Sequence, residues 1–271
     1  MVQEQIPDYL DVTELVGDPV STEQIERLER RYYWARSYCK GLDVHELACG
    51  TAQGSGLLAK VARSFVASDG SVPMLEIAKK HYGDRISFVQ LDAQTLPLAE
   101  VSFDILVLFE ALYYLPNADQ FFQQAFRVLR PGGVLLLATA NKDLYDFNPS
   151  PYSHEYLGVV DLSRRLGTHG FQVELFGDTP IAEVSSLQKA LRPIKNLASR
   201  WGLIPKSMAA KRLIKRLIFG KLVFMPAEIF YDISRAVPPA ALRTDLLDRN
   251  HKVIFCAAHK PIPSQSEKFA H

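Results

Sequence analysis

The chain has 271 residues, of which 48% are hydrophobic and 23% are charged, and its formal net charge is +1. These proportions are ordinary for a soluble globular enzyme, and no segment approaches the roughly 18–20 consecutive apolar residues that a membrane-spanning helix needs. The acidic, polar first residues are unlike a secretory signal. Cys39, Cys49 and Cys256 have no pairing pattern or metal spacing. We therefore expect a cytoplasmic protein without a bound metal.

The first predicted element is a helix that begins at the capping box Ser21-Thr22-Glu23-Gln24 and runs to about Tyr38. Beyond it, helix patterns alternate with strand patterns that are apolar on both faces. The predicted strands are 44–48, 64–68, 86–91, 103–109 and 133–140, and the predicted helices are 54–62, 73–82 and 120–129. Strands of this kind, separated by helices, favour a parallel sheet in an α/β fold.

The later part of the chain contains one more helix, 157–168, a strand at 171–176, and a final strand at 251–259 that we assign to the same sheet. Roughly 75 residues separate these two strands, far more than an ordinary connection needs. The predicted division is an N-terminal extension at 1–20, a core at 21–178, a basic helical insertion or lid at 179–249, the final core strand at 250–262 and a tail at 263–271.

The predicted insertion concentrates positive charge. Residues 184–227 contain ten Lys and Arg and no Asp or Glu, so the rest of the chain carries 31 − 10 = 21 basic against 30 acidic residues. Within it, 211–219 divides on a helical wheel into a basic side and an apolar side. Such a helix either packs on the core with a solvated basic face, or binds an anionic membrane surface or a phosphate-bearing acceptor. Nucleic acid is the third alternative, disfavoured by the few aromatic residues available for base stacking.

The most informative stretch is 44–65, which reads as a buried strand, a turn of small residues from Ala48 to Gly54, and the start of a helix. A turn of this kind lets the backbone approach a ligand without side chains in the way.

Acidic residues follow or end four successive predicted strands: Glu46, Asp69, Asp92 and Glu110. Ligands of open α/β sheets bind outside the carboxyl ends of the strands, so these carboxylates are expected to converge on one crevice. An ionised carboxylate accepts two hydrogen bonds, which suits a vicinal diol. Each acid has an alternative role, because Asp and Glu at strand ends also cap helices or bond turn amides. Asp104 lies inside an apolar strand, and we expect it to be structural.

Over about residues 29–176 and the final strand, the chain resembles the class I S-adenosylmethionine-dependent methyltransferases. The motifs that carry the resemblance are ELACGTAQG (46–54), VASD (66–69) with MLEIA (74–78), DAQTLP (92–97), FD (103–104) and RVLRPGG (127–133). The resemblance implies a seven-stranded, mostly parallel Rossmann-like sheet with helices on both faces. It also implies S-adenosylmethionine as the cofactor.

The resemblance further implies roles for single residues. The turn would face the methionine portion and the ribose of the cofactor, Asp69 would hold both ribose hydroxyls, and Asp92 would accept from the adenine amino group. The full set implied for the cofactor is Glu46, Ala48, Gly50, Thr51, Gly54, Asp69, Gly70, Met74, Asp92, Ala93 and Phe109. Glu46 would orient the turn and reach the methionine ammonium through water, and Phe109 and Glu110 would lie beside the sulfonium.

One position departs from the family pattern, which has glycine where this chain has Ala52. If φ is positive there, alanine costs about 1 kcal/mol. The rival class, nicotinamide-dependent Rossmann enzymes, needs G-x-G-x-x-G, but Gly50, Ala52 and Ser55 hold the three places. That class also leaves Asp92 and 127–133 without a role.

The candidate acceptor residues follow the fourth and fifth predicted strands. Tyr113 and Tyr114 would wall the acceptor pocket or pack the next helix. The polar, aromatic segment 141–156 supplies Asn141, Tyr152 and His154. His154 is the candidate general base, with helix capping near Glu155 as its alternative role; Glu110 is the second catalytic candidate.

The acceptor is expected to be a small molecule, because Phe109-Glu110-Ala111-Leu112 stands where nucleobase and amide methyltransferases carry N/D-P-P-Y/F. Segments of the chain resemble bacterial methyltransferases of surface-polysaccharide synthesis, which suggests a sugar hydroxyl, or a glycan on a polyprenyl-diphosphate carrier at an anionic membrane. A C- or N-methyltransferase acting on a quinone, polyketide or amino sugar is the first alternative. A binding protein that has lost catalysis is the second.

Overall fold

The computed structural model describes residues 13–150, 152–181, 222–230 and 237–263. These ranges contain five α-helices and ten strands. In chain order they are β1 Pro19–Val20, α1 Thr22–Cys39, β2 Asp43–Leu47, α2 Ser55–Ala59, β3 Ser64–Asp69, α3 Val72–Tyr82, β4 Ser87–Gln90, β5 Phe103–Phe109, α4 Ala118–Val128, β6 Leu129–Ala140, α5 Val159–Thr168, β7 Gln172–Pro180, β8 Val223–Phe224, β9 Ala240–Leu242 and β10 His251–His259.

Eight of these strands form one sheet in the order β4-β3-β2-β5-β6-β10-β7-β9. The first five are parallel, while β10 is antiparallel to both of its neighbours, β6 and β7. The predicted mostly parallel α/β sheet is therefore confirmed. Strand order reverses between β2 and β5, and a crevice opens at such a switch point, outside the carboxyl ends of the strands.

Both faces of the sheet are buried, as the two-sided apolar strands predicted. Successive residues of β5 and β6 alternate between two apolar clusters. One cluster packs against α4 and α5 through Leu106, Leu108, Leu135, Leu137, Phe121, Phe122 and Leu162. The other packs against α1 through Ile105, Val107, Leu136, Ala138, Leu28, Tyr32 and Trp34.

Helix α1 begins where the sequence predicts, because both bonds of the capping box form. Gln24 N donates to Ser21 Oγ at 3.3 Å, and Ser21 N donates to Gln24 Oε1 at 2.8 Å. Trp34 stacks on Phe255 of β10, with ring centroids 5.0 Å apart. The helix is thereby held across the centre of the sheet, next to the crevice.

The amino ends of β2 and β5 are joined by ion pairs. Asp43 N donates to Asp104 Oδ2 at 2.9 Å, and Arg130 Nη1 lies 2.8 Å from a carboxylate oxygen of each aspartate. Arg63 also contacts both carboxylates. Asp43 accepts hydrogen bonds from Arg63, Ser64 and Arg130, and these hold the pKa of Asp43 well below its usual range. The structural role predicted for Asp104 is confirmed.

Several boundaries differ from the prediction. The sheet has an eighth strand, β9, which pairs with β7 and is too short to show an alternating pattern. Helix α2 ends at Ala59 rather than 62, although Lys60 N and Ala62 N still donate to Gly56 O and Leu58 O. Helix α5 begins at Val159 rather than 157.

Most of the predicted insertion, including the basic helix at 211–219, lies outside the described residues. The pieces that are described, 222–230 and 237–249, contain β8 and β9 and no helix, and the helical insertion stays a prediction for the rest. The conformation of these pieces is determined by short backbone pairings, of β8 with β1 and of β9 with β7. Such short pairings leave no periodic pattern in the sequence. No helix in the described ranges is long and apolar enough to cross a membrane.

The segment 222–230 returns to the core and closes one side of the crevice. Strand β8 pairs with β1 of the predicted N-terminal extension, and Ile229 N donates to Gln53 O at 2.9 Å. Glu228 is buried, 3.0 Å from His81 Nε2 and 3.1 Å from Arg85 Nη1. Burial raises the pKa of Glu228, but the hydrogen bonds from His81 and Arg85 outweigh it and hold the pKa below its usual value. This carboxylate anchors the segment to α3.

Candidate functional site

The small-residue turn after β2 is built from left-handed backbone. Ala48, Gly50 and Ala52 have φ of +51°, +58° and +62°. Position 52, where the family pattern has glycine, therefore has a positive φ in this chain. Alanine costs about 1 kcal/mol there. The methyl group of Ala52 is fully buried in a small apolar cluster with Leu75 and Tyr82, which offsets part of that cost.

Asp69, at the end of β3, holds this turn in place. Its Oδ2 accepts from Gly50 N at 2.8 Å, and its Oδ1 accepts from Ser71 N at 2.8 Å. Burial raises the pKa of Asp69, although these backbone N–H groups act in the opposite direction. Each oxygen retains a second lone pair, so the carboxylate can still accept two hydroxyls of a diol. The structural and ligand-binding roles of Asp69 are therefore compatible.

A cavity of about 1050 Å³ opens at the carboxyl ends of the strands. It brings together most of the predicted site residues. Those that line it are Ala48, Gly50, Asp69, Gly70, Met74, Asp92, Ala93, Phe109, Glu110, Tyr113, Tyr114 and His154. A second cavity of about 720 Å³, next to Asp143 and Arg249, contains none of them.

One half of the large cavity suits a purine nucleoside. Met74, Leu91 and Ala93 are buried apolar residues that offer faces to a flat ring. Asp92 stands beside them, and its Oδ1 accepts from Gln94 N at 2.8 Å. Asp69 supplies the diol acceptor on the same side. These residues fit the adenosine portion of S-adenosylmethionine.

Three predicted cofactor residues, Glu46, Thr51 and Gly54, do not line the cavity but lie beneath it. Glu46 is fully buried and accepts from Ser55 Oγ at 2.5 Å and from the Tyr32 hydroxyl. Burial raises the pKa of Glu46 to about 7. A Cβ on Gly54 would lie 2.2 Å from the Tyr32 ring, so packing of α1 requires this glycine. The bonds of Glu46 agree with its predicted role in orienting the turn, and contact of these three residues with the cofactor, through water for Glu46, stays a prediction.

The other half of the cavity is aromatic and charged. Glu110 has φ of +52°, and its carboxylate accepts from Tyr113 Oη at 3.1 Å and lies 3.4 Å from Arg31 Nη1. Burial, reinforced by the charge of Glu110, raises the pKa of Tyr113 well above its usual value. Tyr113 also stacks on Tyr156, with ring centroids 4.4 Å apart.

His154 lies at the mouth of this half. It is exposed and lines the cavity, and its backbone N donates to Tyr113 O at 2.7 Å. The helix that follows begins at Val159 with Gly158 as its N-cap. The alternative role of His154 as a helix cap is therefore wrong, because the helix starts five residues later.

Asn141 and Tyr152 were predicted to contact the acceptor, but neither lines the cavity. Asn141 is buried, and its Nδ2 donates to Asp248 O and His251 O, each at 2.9 Å. Its role is to join the end of β6 to the chain before β10. Tyr152 is 61% exposed and lies outside the cavity lining. Ala140, at the end of β6, lines the cavity instead.

Cavity residues that were not predicted come from α1, the N-terminal segment, the segment 222–230 and β10. Helix α1 presents one face at i, i+3, i+4 and i+7: Gln24, Arg27, Leu28 and Arg31. Thr13, Glu14, Met225, Lys252, Val253 and Phe255 also line the cavity. The helical spacing on α1 was readable in the sequence, but the crevice that it faces is set by tertiary packing.

Fold and site together define a nucleoside-binding α/β protein with a second, aromatic compartment in the same cavity. Residues 45–137 match the family of methyltransferase domains. In sheet order and in the placement of its strand-end acids, the chain is similar to the class I S-adenosylmethionine-dependent methyltransferases. S-adenosylmethionine is the cofactor of that class.

Named relatives agree with this assignment. A probable S-adenosylmethionine-dependent methyltransferase of Mycolicibacterium smegmatis is 32% identical over 55% of this chain and 63% of its own length. The ubiquinone/menaquinone biosynthesis C-methyltransferase UbiE of Hahella chejuensis is 32% identical over 47% of this chain and 59% of its own length. The matched region thus spans about three fifths of these relatives.

The fold has solved counterparts. A SAM-dependent methyltransferase from Archaeoglobus fulgidus superposes with a TM-score of 0.57 at 14% identity, over 87% of this chain and 94% of that one. At this identity the likeness concerns the fold alone.

Proposed function

We propose that the protein transfers a methyl group from S-adenosylmethionine to a small-molecule acceptor. The observation that carries the proposal is the single cavity of about 1050 Å³, which runs from Asp69 and Asp92 to Glu110, Tyr113 and His154. Pockets of roughly 300–1,000 Å³ hold one drug-sized ligand. This cavity therefore has room for a nucleoside cofactor and a small acceptor.

In this proposal the two halves of the cavity have separate tasks. Asp69 accepts from the ribose hydroxyls, Asp92 accepts from the adenine amino group, and Met74 and Ala93 pack on the ring. The cofactor supplies a sulfonium-bound methyl that is already electrophilic. Much of the catalytic effect can then come from aligning the acceptor and excluding water.

A base is needed when the acceptor is a hydroxyl of high pKa. Both oxygens of Glu110 are engaged, by Tyr113 and by Arg31, and the raised pKa of Tyr113 makes its hydroxyl a poor base. His154 lines the same compartment, so it is the residue we assign to accept the proton.

The acceptor that we favour is a hydroxyl of a sugar or glycan precursor. The aromatic residues Tyr113 and Tyr114, with Glu110 and His154 around them, give one apolar face and several hydrogen-bonding groups, which suits a sugar ring. The second candidate is a carbon acceptor on a quinone, since one relative is named as a quinone-biosynthesis C-methyltransferase. The same tyrosines could stack on a flat quinone ring.

A more specific version of the first candidate is a glycan linked to a lipid carrier. Its support is the charge of 184–227, which contains ten basic and no acidic residues. A segment of that charge is suited to a cytoplasmic membrane surface rich in anionic lipids. Sedimentation with anionic vesicles tests this contact. If the protein does not bind, or binds in a way that salt does not affect, a soluble acceptor is favoured over a lipid-linked one. Nucleic acid is not expected as a partner.

Methyl-labelled S-adenosylmethionine tests the proposed activity, with the purified protein added to a fractionated extract of its native host. Label in organic-extractable, acid-labile material indicates a lipid-linked glycan. Label in water-soluble sugars indicates a soluble acceptor, and label in neutral lipid indicates a quinone. Cofactor binding without label in any fraction would instead support a protein that has lost catalysis.

A further inference from the structure

Two arginines stand one turn apart on the cavity face of α1. Arg27 and Arg31 are related by i, i+4, and both line the cavity. Like charges at this spacing destabilise a helix slightly, so local helix stability does not explain the pair. Lys252, at the start of β10, adds a third cation to the cavity lining.

These cations differ in how they are neutralised. Lys252 is paired with Glu23. Arg31 lies 3.4 Å from Glu110 through Nη1, while its Nε is buried and has no hydrogen-bond partner in the described part of the chain. Arg27 is half-buried, and within the described ranges no hydrogen bond or close ion pair involves it, although its charge interacts with that of Glu23, the partner of Lys252. Two guanidinium groups thus line the cavity, and in the described ranges Glu110 is the one carboxylate within ion-pair distance of either.

The position of the pair points to the acceptor half. Arg31 contacts Glu110, which also contacts Tyr113. Arg27 lies one turn further from the small-residue turn, towards the N-terminal end of α1. The carboxylates of the nucleoside half, Asp69 and Asp92, follow other strands and lack contact with either arginine among the ion pairs of the described chain.

We propose that Arg27 and Arg31 bind an oxyanion carried by the methyl acceptor, either a phosphate or a carboxylate. This inference rests on the proposed function and narrows its substrate class to anionic acceptors. Guanidinium groups bind both anions through paired, charge-assisted hydrogen bonds, which suits a half-buried site better than a single ammonium would.

Titration calorimetry tests the inference with two probes, inorganic pyrophosphate and malonate, added to protein saturated with S-adenosylhomocysteine. The variants are Arg27→Gln and Arg36→Gln. Arg36 lies on the same helix but is exposed and outside the cavity lining, so it is a matched control. We expect one of the probes to bind the wild type, Arg27→Gln to weaken that binding at least tenfold, and Arg36→Gln to leave it unchanged.

The choice of probe separates the two sources, since preference for pyrophosphate indicates a phosphorylated acceptor and preference for malonate a carboxylated one. Arg27→Lys should lie between wild type and Arg27→Gln. The inference is overturned if neither probe binds, if both glutamine variants behave alike, or if Arg27→Gln weakens S-adenosylhomocysteine itself tenfold, which would assign Arg27 to the carboxylate of the cofactor. Failure of the wild type to bind S-adenosylhomocysteine would contradict the proposed function instead.

Discussion

The two ends of the central sheet use the same side chain for different purposes. At the amino ends, Asp43 and Asp104 share two arginines, and every carboxylate has a cation within 3.1 Å. At the carboxyl ends, Asp69 and Asp92 accept from backbone N–H groups and line a cavity. An aspartate paired with arginine joins strands, whereas one held by amides keeps acceptor capacity for a ligand. The role of an aspartate in this sheet therefore follows from its hydrogen-bond and ion-pair partners more than from its place in a strand.

Neutralising one aspartate at each end of the sheet tests whether the two ends differ in function. Asp69→Asn removes the charge that accepts from the turn and, in the proposal, from two ribose hydroxyls. Hydrogen bonds to a charged group contribute about 1.5–3 kcal/mol each. The Kd for S-adenosylhomocysteine should therefore rise about 100-fold or more by calorimetry.

The matched change at the other end is Asp104→Asn, which should lower Tm and leave that Kd within about twofold. Equal losses of affinity in both variants would show that the two ends do not differ in function.

His154→Ala separates chemistry from binding within the carboxyl end. If His154 accepts the proton, kcat should fall by about 10²-fold or more, because general-base catalysis contributes about that much. The Kd for S-adenosylhomocysteine should stay unchanged, since the histidine lies in the acceptor half. Steady-state kinetics with the acceptor found by methyl labelling measure the effect, and retained turnover would remove His154 from the mechanism.

Glu46 offers a pH test of the support beneath the turn. Its folded pKa of about 7 lies above the ordinary value of 4.5, so the folded state holds the proton more tightly. Its contribution to stability is complete below about pH 4.5 and is lost as the pH rises through 7. The free energy of unfolding of wild type relative to Glu46→Gln should therefore fall by on the order of 3 kcal/mol between pH 4.5 and 8.

The pH comparison must be made against the variant, because His45 titrates in the opposite direction. Burial lowers its pKa to about 4, so stability from His45 rises with pH in part of the same window. Glu76→Gln, an exposed change on α3, is the control and should follow the wild type. A wild-type to Glu46→Gln difference that is flat with pH would show that Glu46 is ionised in the folded protein.

The smallest effects should come from Asn141 and Tyr152, the two predicted acceptor residues that do not line the cavity. Asn141→Ala removes several buried hydrogen bonds between the end of β6 and the chain before β10, and should destabilise the fold by about 1–3 kcal/mol in urea unfolding. Tyr152→Ala changes an exposed side chain and should alter neither stability nor KM. A tenfold rise of KM in Tyr152→Ala would return this tyrosine to the acceptor site.

The nucleoside half could be predicted because its residues stand in sequence order at the ends of strands. Asp69, Asp92 and the small-residue turn each follow a readable strand, and parallel packing brings such ends together. The backbone of Ala52 was not readable, since composition does not fix the sign of φ. Glu46 belonged to the right motif, but Tyr32 and Ser55 occupy its carboxylate.

The rest of the cavity lining was harder to predict because it is assembled from distant parts of the chain. Arg27 comes from α1, Met225 from the segment after the basic region, and Lys252 from β10. Asn141 stands in a polar, aromatic stretch typical of a binding loop, yet pairing of β6 with β10 buries it. These contacts depend on tertiary packing, which hydrophobic periodicity does not encode.

A crystal structure with S-adenosylhomocysteine tests the central claim most directly. We expect the ribose hydroxyls within about 3.2 Å of the Asp69 carboxylate, and the adenine ring against Met74 and Ala93 with its amino group at Asp92. The compartment of Arg27, Tyr113 and His154 should be left open. A nucleoside bound elsewhere, or one whose ribose makes no contact with Asp69, would contradict it.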